Sequence, residues 1–245
     1  MRLNANNMWE SRYWHPAVTV DAVIFGFEDE ELSVLLIKRS PESDAYPDCW
    51  ALPGGFITQA DKSAKDAICR ELKEETGIDG IEPIEFQTFS KDGRDPRERV
   101  ISIAFYALVS KTKYNEIKGG DDAAEAQWHK ICQLPKLAFD HEEIIQSAFE
   151  RLQQSIHFEP IAFRLLDERF TMSQLQSIYI AILMPPPGSN KVRDRRNFVK
   201  KMSKQEYIEE TEFKETGNPW RAARLYKFNE KKFREVKKKE MRLGF

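Results

Sequence analysis

Of all segments, the stretch from Gly54-Gly55-Phe56 to Arg70-Glu71-Leu72-Lys73-Glu74-Glu75-Thr76-Gly77-Ile78 constrains this chain most. Ala64, Ala67, Ile68 and Leu72 recur at helical spacing, so the sequence predicts a helix from Ser63 to Thr76 closed by Gly77. At about 100° per residue, Glu71, Glu74 and Glu75 fall within an arc of about 100°. Three carboxylates aimed at one spot repel each other unless a hard divalent cation such as Mg²⁺ or Mn²⁺ takes their oxygens, and such cations bridge readily to phosphates. A metal-held diphosphate site follows. The alternative is a solvated helix whose Glu and Lys form exposed i,i+4 pairs. Trp50, Leu52, Pro53 and the glycine pair before the helix, with Thr76-Gly77-Ile78 after it, favour a built site.

Strands surround that helix. AVTVDAVIFGF and LSVLLIKRS flank an acidic turn and read as two adjacent strands, followed by a Pro/Ser/Asp loop into WALPGGFIT. Further strands are IEFQTFS, VISIAFYALV and AEAQWHKI, and a helix over 141–154 sets Ile144, Ile145, Ala148, Phe149 and Leu152 on one face. A boundary near residue 158 gives two domains, 1–157 and 158–245.

Charge supports the division. Residues 1–150 carry 17 Lys and Arg against 28 Asp and Glu, a balance of −11, whereas residues 151–245 carry 21 against 12, a balance of +9. The acidic body is suited to metal ions and the basic one to a polyanion such as nucleic acid. With 41% hydrophobic residues the chain has material for packed cores, and no apolar run reaches the roughly 18 residues of a membrane helix. The opening residues do not resemble a secretory signal. Cys49, Cys69 and Cys132 suggest no disulfide framework or metal knuckle, and His15, His129, His141 and His157 lack paired ligand spacing. A reducing, cytoplasmic setting is expected.

The second body begins with Thr171 or Ser173 as the N-cap of an apolar helix through Leu175, Ile178, Tyr179 and Ile182, which PPPG at 185–188 stops. One basic helix, VRDRRNFVKKMSKQ, follows, with Val192, Phe198, Val199 and Met202 packing and its cations facing solvent. Two short strands then flank a turn at Gly217, Asn218 and Pro219. This order is that of a winged helix-turn-helix. Arg193, Arg195, Arg196, Lys200 and Lys201 are candidates for double-stranded DNA, and the hairpin near Asn218, Trp220 and Arg221 for the wing. The final KKFREVKKKEMRLGF reads as a solvated tail.

GG…RELKEETGI resembles the signature of the Nudix hydrolases, G-x5-E-x7-R-E-U-x-E-E-x-G-U with U aliphatic. The resemblance implies an α+β protein, a Nudix α/β/α sandwich with a mixed sheet followed by the winged helix. It makes Glu71, Glu74 and Glu75 the ligands of Mg²⁺ or Mn²⁺, Arg70 the partner of a carboxylate, and Gly55 the loop glycine beside the metal. The left half of the pattern departs by one inserted residue: Asp61 falls at the position of the family's first Glu, but eight residues separate it from Arg70. Either the loop bulges and Asp61 replaces that Glu, or its hydrogen-bond support is lost.

RDPRERVISIAFYALV, GDDAAEAQW and LAFDHEEII, with the basic domain behind them, are similar to the branch containing ADP-ribose pyrophosphatases and Nudix-related transcriptional regulators. That similarity implies a ligand such as ADP-ribose. The loop KDGRDPRERV offers Arg94, Arg97 and Arg99, whose forked guanidiniums suit phosphate unless they only solubilise a hairpin turn; with Arg39 and Asp122 they are the candidate substrate contacts. Asp121, Asp122 and Glu125 lie where many Nudix proteins place a general base or extra metal ligand, the alternative being a solvated turn. Metal-dependent hydrolysis is the leading expectation, ligand-responsive regulation without turnover the alternative, and a homodimer the expected assembly.

Overall fold

Alternation along one strand sets the layers of the first domain. In β3 (Ala17–Glu28), Val20, Ala22 and Ile24 face one side while Val23 and Phe25 face the other, and all are fully buried. Both faces of a strand so apolar need a cover. On one side α1 (Ala64–Thr76) supplies Ala67, Ile68 and Leu72, and on the other α2 (His141–Ser155) supplies Ile144, Ile145, Ala148 and Leu152.

A computed structural model describes residues 2–3, 9–10, 13–28, 30–114, 117, 123–156, 158–184, 190–215 and 222–240. A short antiparallel ladder joins β1 (Arg2–Leu3) to β2 (Trp9–Glu10). The main sheet has seven strands: β3, β4 (Glu31–Arg39), β5 (Trp50–Ala51), β6 (Gly54–Phe56), β7 (Ile84–Phe89), β8 (Val100–Ser110) and β9 (Ala123–Lys130). Its spine runs β5-β4-β3-β8-β7, with β9 on β4 and β6 on the first half of β3. β3 and β8 are parallel and the other pairs antiparallel, so the sheet is mixed.

The second domain follows the expected order with two changes. Thr171 caps α3 (Met172–Leu183) through a reciprocal capping box with Gln174. The basic segment is not one helix: α4 (Asn190–Arg193) and α5 (Arg195–Met202) are separated at Asp194, whose carboxylate caps α5 by accepting from Asn197 N–H at 2.9 Å. An acid that bonds a nearby backbone amide favours a fresh cap over helix continuation. β10 (Ile208–Lys214) and β11 (Arg224–Phe228) form the hairpin, and Phe170 pairs with Tyr226 through both backbone bonds to add a third segment. The expected solvated tail is instead largely helical, α6 (Glu230–Glu240), because Phe233 buries its ring beside Tyr207 and Phe228. PPPG, the hairpin turn at 217–219, and Asn218, Trp220 and Arg221 lie outside the described residues.

One core serves both domains. The apolar cluster under α2 continues from Val23, Phe25 and Tyr106 into Ile161, Phe170, Leu175, Ile178, Phe198 and Met202. At the interface Gln153 Nε2 donates to the Ile182 carbonyl at 3.0 Å, and Ser177 Oγ donates to Glu30 at 2.8 Å. Leu152 is fully buried in this cluster. Leu152→Ala is therefore expected to cost about 2–5 kcal/mol, and calorimetry should record one transition for both domains, shifted downward as a whole.

Candidate functional site

The glycine pair exists because two things come too close for a side chain. A Cβ on Gly54, whose φ is 153°, would lie 2.1 Å from the Val20 carbonyl oxygen, and one on Gly55 would lie 2.5 Å from Glu71 Oε1. β6 can thus lie against β3 while α1 brings its carboxylates up to the same backbone. Ser63 accepts from Asp66 N–H to start α1, and Gly77, at φ 72°, stops it by donating to the Lys73 carbonyl.

Arg70 gathers this corner. Its Nε and Nη2 bond both oxygens of Asp61 at 3.0 and 2.9 Å, Nη1 reaches Glu71 at 2.8 Å and Glu74 at 3.0 Å, and Nη2 also reaches the Phe56 carbonyl at 3.2 Å. Asp61 accepts besides from the backbone and hydroxyl of Thr58, both at 2.8 Å. The inserted residue is absorbed in the loop and Asp61 supports Arg70. The Arg70 guanidinium holds the Asp61 carboxyl well below the usual carboxylate range, and donating to Asp61 in turn raises Arg70.

The glutamates differ in environment. Glu75 is buried, accepts from Gly54 N–H at 2.8 Å, and is pushed up to about 8, first by burial and then, against that bond, by Glu71 and Asp21. Burial likewise raises Glu71. Glu74 stays about half exposed beside Arg70. Glu71 and Glu75 line a cavity of about 540 Å³ with Asp21, Gly54, Gly55, Arg39, Arg94 and Arg97 around them. Glu74 does not, and among the described residues no group of three or more His, Cys, Asp or Glu is gathered to hold a metal ion. In donor chemistry Glu71 and Glu75 suit a hard cation: they offer oxygens only, and burial raises the pKa of both, a shift that a bound cation would oppose.

The arginines separate. Arg39 and Arg97 place their guanidiniums 5.1 and 5.6 Å from the centre of the Phe139 ring, and Arg97 lies 5.6 Å from that of Phe56. Burial, then the neighbouring Arg97 charge, lowers Arg39, whereas Asp95 pairs with Arg97 and raises it. Arg94 is 5% exposed and locked to Asp140 by two bonds of 2.8 and 2.7 Å. Arg99 is not on the cavity wall; it bonds Asp92 and the Ser90 carbonyl. Glu125 is exposed on β9 and also off the wall, while Asp121 and Asp122 lie outside the described residues.

Sequence reading missed the floor. Asp21 is buried, accepts from Ser102 Oγ, and lies 3.5 Å from His141 Nε2 and 3.6 Å from Arg94. His141 Nδ1 accepts from Leu52 N–H at 2.8 Å, and burial lowers its pKa, so the ring is neutral with its proton on Nε2 toward Asp21. The available signal was an Asp in an otherwise apolar strand.

In the second domain Arg193, Arg195, Arg196, Lys200 and Lys201 are exposed on α4 and α5, while Phe198 and Met202 are buried beneath them. No helix among the described residues is long and apolar enough to cross a membrane.

The family models for the NUDIX domain and for the NrtR DNA-binding winged helix domain match residues 15–148 and 162–228. The chain is 33% identical over 224 residues to the ADPR responsive transcriptional repressor NtrR of Acinetobacter baylyi, covering 89% of this chain and 84% of that one. It is 43% identical over 134 residues to an ADP-ribose pyrophosphatase of Methanocaldococcus jannaschii, covering 55% and 73%. The crystal structure of Shewanella oneidensis NrtR complexed with a 27mer DNA superposes with a TM-score of 0.68 at 27% identity, covering 89% of this chain and 95% of that one.

The buried Glu75 predicts a pH dependence. It keeps its proton up to about pH 8 in the folded chain, but only to its ordinary value of 4.5 when unfolded. Folded protein therefore binds more protons across that window, and stability present below it is lost as pH rises toward 8. In chelator-treated buffer the melting temperature should fall from pH 5 to pH 8, and Glu75→Gln should flatten that slope.

Proposed function

We propose, since this chain belongs to the Nudix family and carries an NrtR-type winged helix behind its Nudix domain, that it is an ADP-ribose-responsive, DNA-binding transcriptional regulator. One observation carries the reading: the likeness to the repressor runs through both domains, and the second presents Arg193, Arg195, Arg196, Lys200 and Lys201 as an exposed basic face. These side chains meet phosphates and base edges of double-stranded DNA. Two copies reading a two-fold operator make a homodimer the working assembly. A regulator of this kind acts in the cytoplasm beside the DNA it reads.

In the Nudix domain the effector is ADP-ribose or a related nucleoside diphosphate derivative. Arg39 and Arg97, held together on Phe139 despite their like charges, supply positive charge for its diphosphate, with the Nε and Nη2 of Arg97 already donating to Asp95. The sequence reading ranked hydrolysis first; the full-length likeness to a repressor supports regulation better. Turnover remains the second reading because Arg70, Glu71, Glu74 and Glu75 are all retained and the Nudix domain is 43% identical to a pyrophosphatase. Glu71 and Glu75 would then hold Mg²⁺ or Mn²⁺, with Glu74 joining if released by Arg70. Such an ion polarises a diphosphate and lowers the pKa of water. Asp61 keeps Arg70 in place, and the Gly54 N–H fixes the Glu75 carboxylate.

Fluorescence anisotropy with DNA from the protein's own promoter tests regulation. ADP-ribose should change the affinity, and Arg195→Ala with Arg196→Ala should weaken binding and reduce the salt slope by about 1 per lost phosphate contact. Affinity indifferent to ADP-ribose would overturn it. Incubation with ADP-ribose and Mg²⁺ decides turnover: regulation alone returns the ligand intact, whereas hydrolysis yields AMP and ribose phosphate above the level of Glu74→Gln.

A further inference from the structure

Three consecutive residues at the head of α2 hold three different parts of the cavity. Phe139 carries Arg39 and Arg97 on its ring, with φ at 52°, a left-handed conformation unusual for a bulky residue. His141 bonds the Leu52 amide just before the glycine pair and faces Asp21. Between them Asp140 grips Arg94, which lines the cavity.

Asp140 is out of its ordinary role. It occupies the N-cap position of a 15-residue helix, where an Asp side chain normally accepts from the amide two or three residues on, here Glu142 or Glu143. It makes no such bond; both of its oxygens accept from Arg94 instead. One carboxylate therefore has two alternative sets of donors, the guanidinium in the cavity wall and the open first turn of the helix. The far end of that helix reaches the DNA-binding domain, through Leu152 in the shared core and through Gln153 on the Ile182 carbonyl near the end of α3.

We propose that Asp140 is the switch between ligand and DNA. An anionic ligand in the cavity takes Arg94, the released carboxylate caps α2 at Glu142 or Glu143, and the rearranged first turn is transmitted along α2 to α3 and the basic helices behind it. This inference rests on the regulatory reading above and names the device that couples its two sites. It supplies a two-arrangement element that occupancy of the cavity biases.

Asp140→Asn separates the two sets of donors, because Asn caps a helix as well as Asp but carries no charge for Arg94. Without ligand, the variant should bind promoter DNA with the affinity that wild-type protein shows at saturating ADP-ribose. Its ratio of ligand-free to ligand-saturated affinity should approach one, while calorimetry still records ADP-ribose binding. A variant that keeps the wild-type ratio overturns the switch. If the variant does not fold, wild-type protein decides: saturating ADP-ribose should slow amide hydrogen exchange at Glu142 or Glu143 about fivefold, the protection expected of an ordinary side-chain cap, and unchanged rates at both overturn the proposal. Wild-type DNA binding that ignores ADP-ribose overturns the regulatory reading itself, an outcome distinct from a failure confined to Asp140.

Discussion

The guanidinium of Arg70 holds the Nudix corner together. It crosslinks the end of β6, through the Phe56 carbonyl, and the loop after it, through Asp61, to its own helix, through Glu71 and Glu74. Without that charge, acidic groups would crowd a backbone that Gly54 and Gly55 leave bare. The cavity wall depends on these bonds: Arg70 holds Glu71 against Gly55, and the Gly54 amide holds Glu75. Arg70 is thus both the clamp of the fold at this point and the competitor that a divalent ion would meet at Glu71.

Much of the architecture was legible because it follows local rules. The apolar run AVTVDAVIFGF marked β3 as a strand, Ser63 and Gly77 bracketed α1, and Thr171, one of two N-cap candidates, begins α3. Local rules also explain two errors. Asp194 was read as one more polar residue on a helix although its side chain can end one helix and cap the next. The basic tail was read from its charge, whereas Phe233 finds an aromatic nest that only the folded hairpin creates.

The cavity wall was legible where its residues lie close in sequence, as with Glu71 and Glu75 of α1 and Arg94 and Arg97 of the charged loop, but not Glu74 or Arg99. Its floor was not. Leu52 and His141 meet across 89 positions, and Asp21 pairs with Ser102 only because β3 and β8 are parallel neighbours. Sequence spacing also could not tell an arginine resting on a ring from one paired with a carboxylate, so Arg39 on Phe139 looked the same as Arg97 on Asp95, Arg94 on Asp140 and Arg99 on Asp92.

The apolar cluster that passes from the sheet into the winged helix has a consequence for how such proteins diversify. A regulator whose reader and sensor were beads on a string could exchange either by recombination. Here Leu152, Phe170 and Ile178 belong to one packed interior, so a transplanted reader would have to bring side chains complementary to its new host's connecting helix. Under the regulatory function proposed above, changes confined to the exposed cations of α5 would leave that interior intact, whereas exchange of a whole module would not.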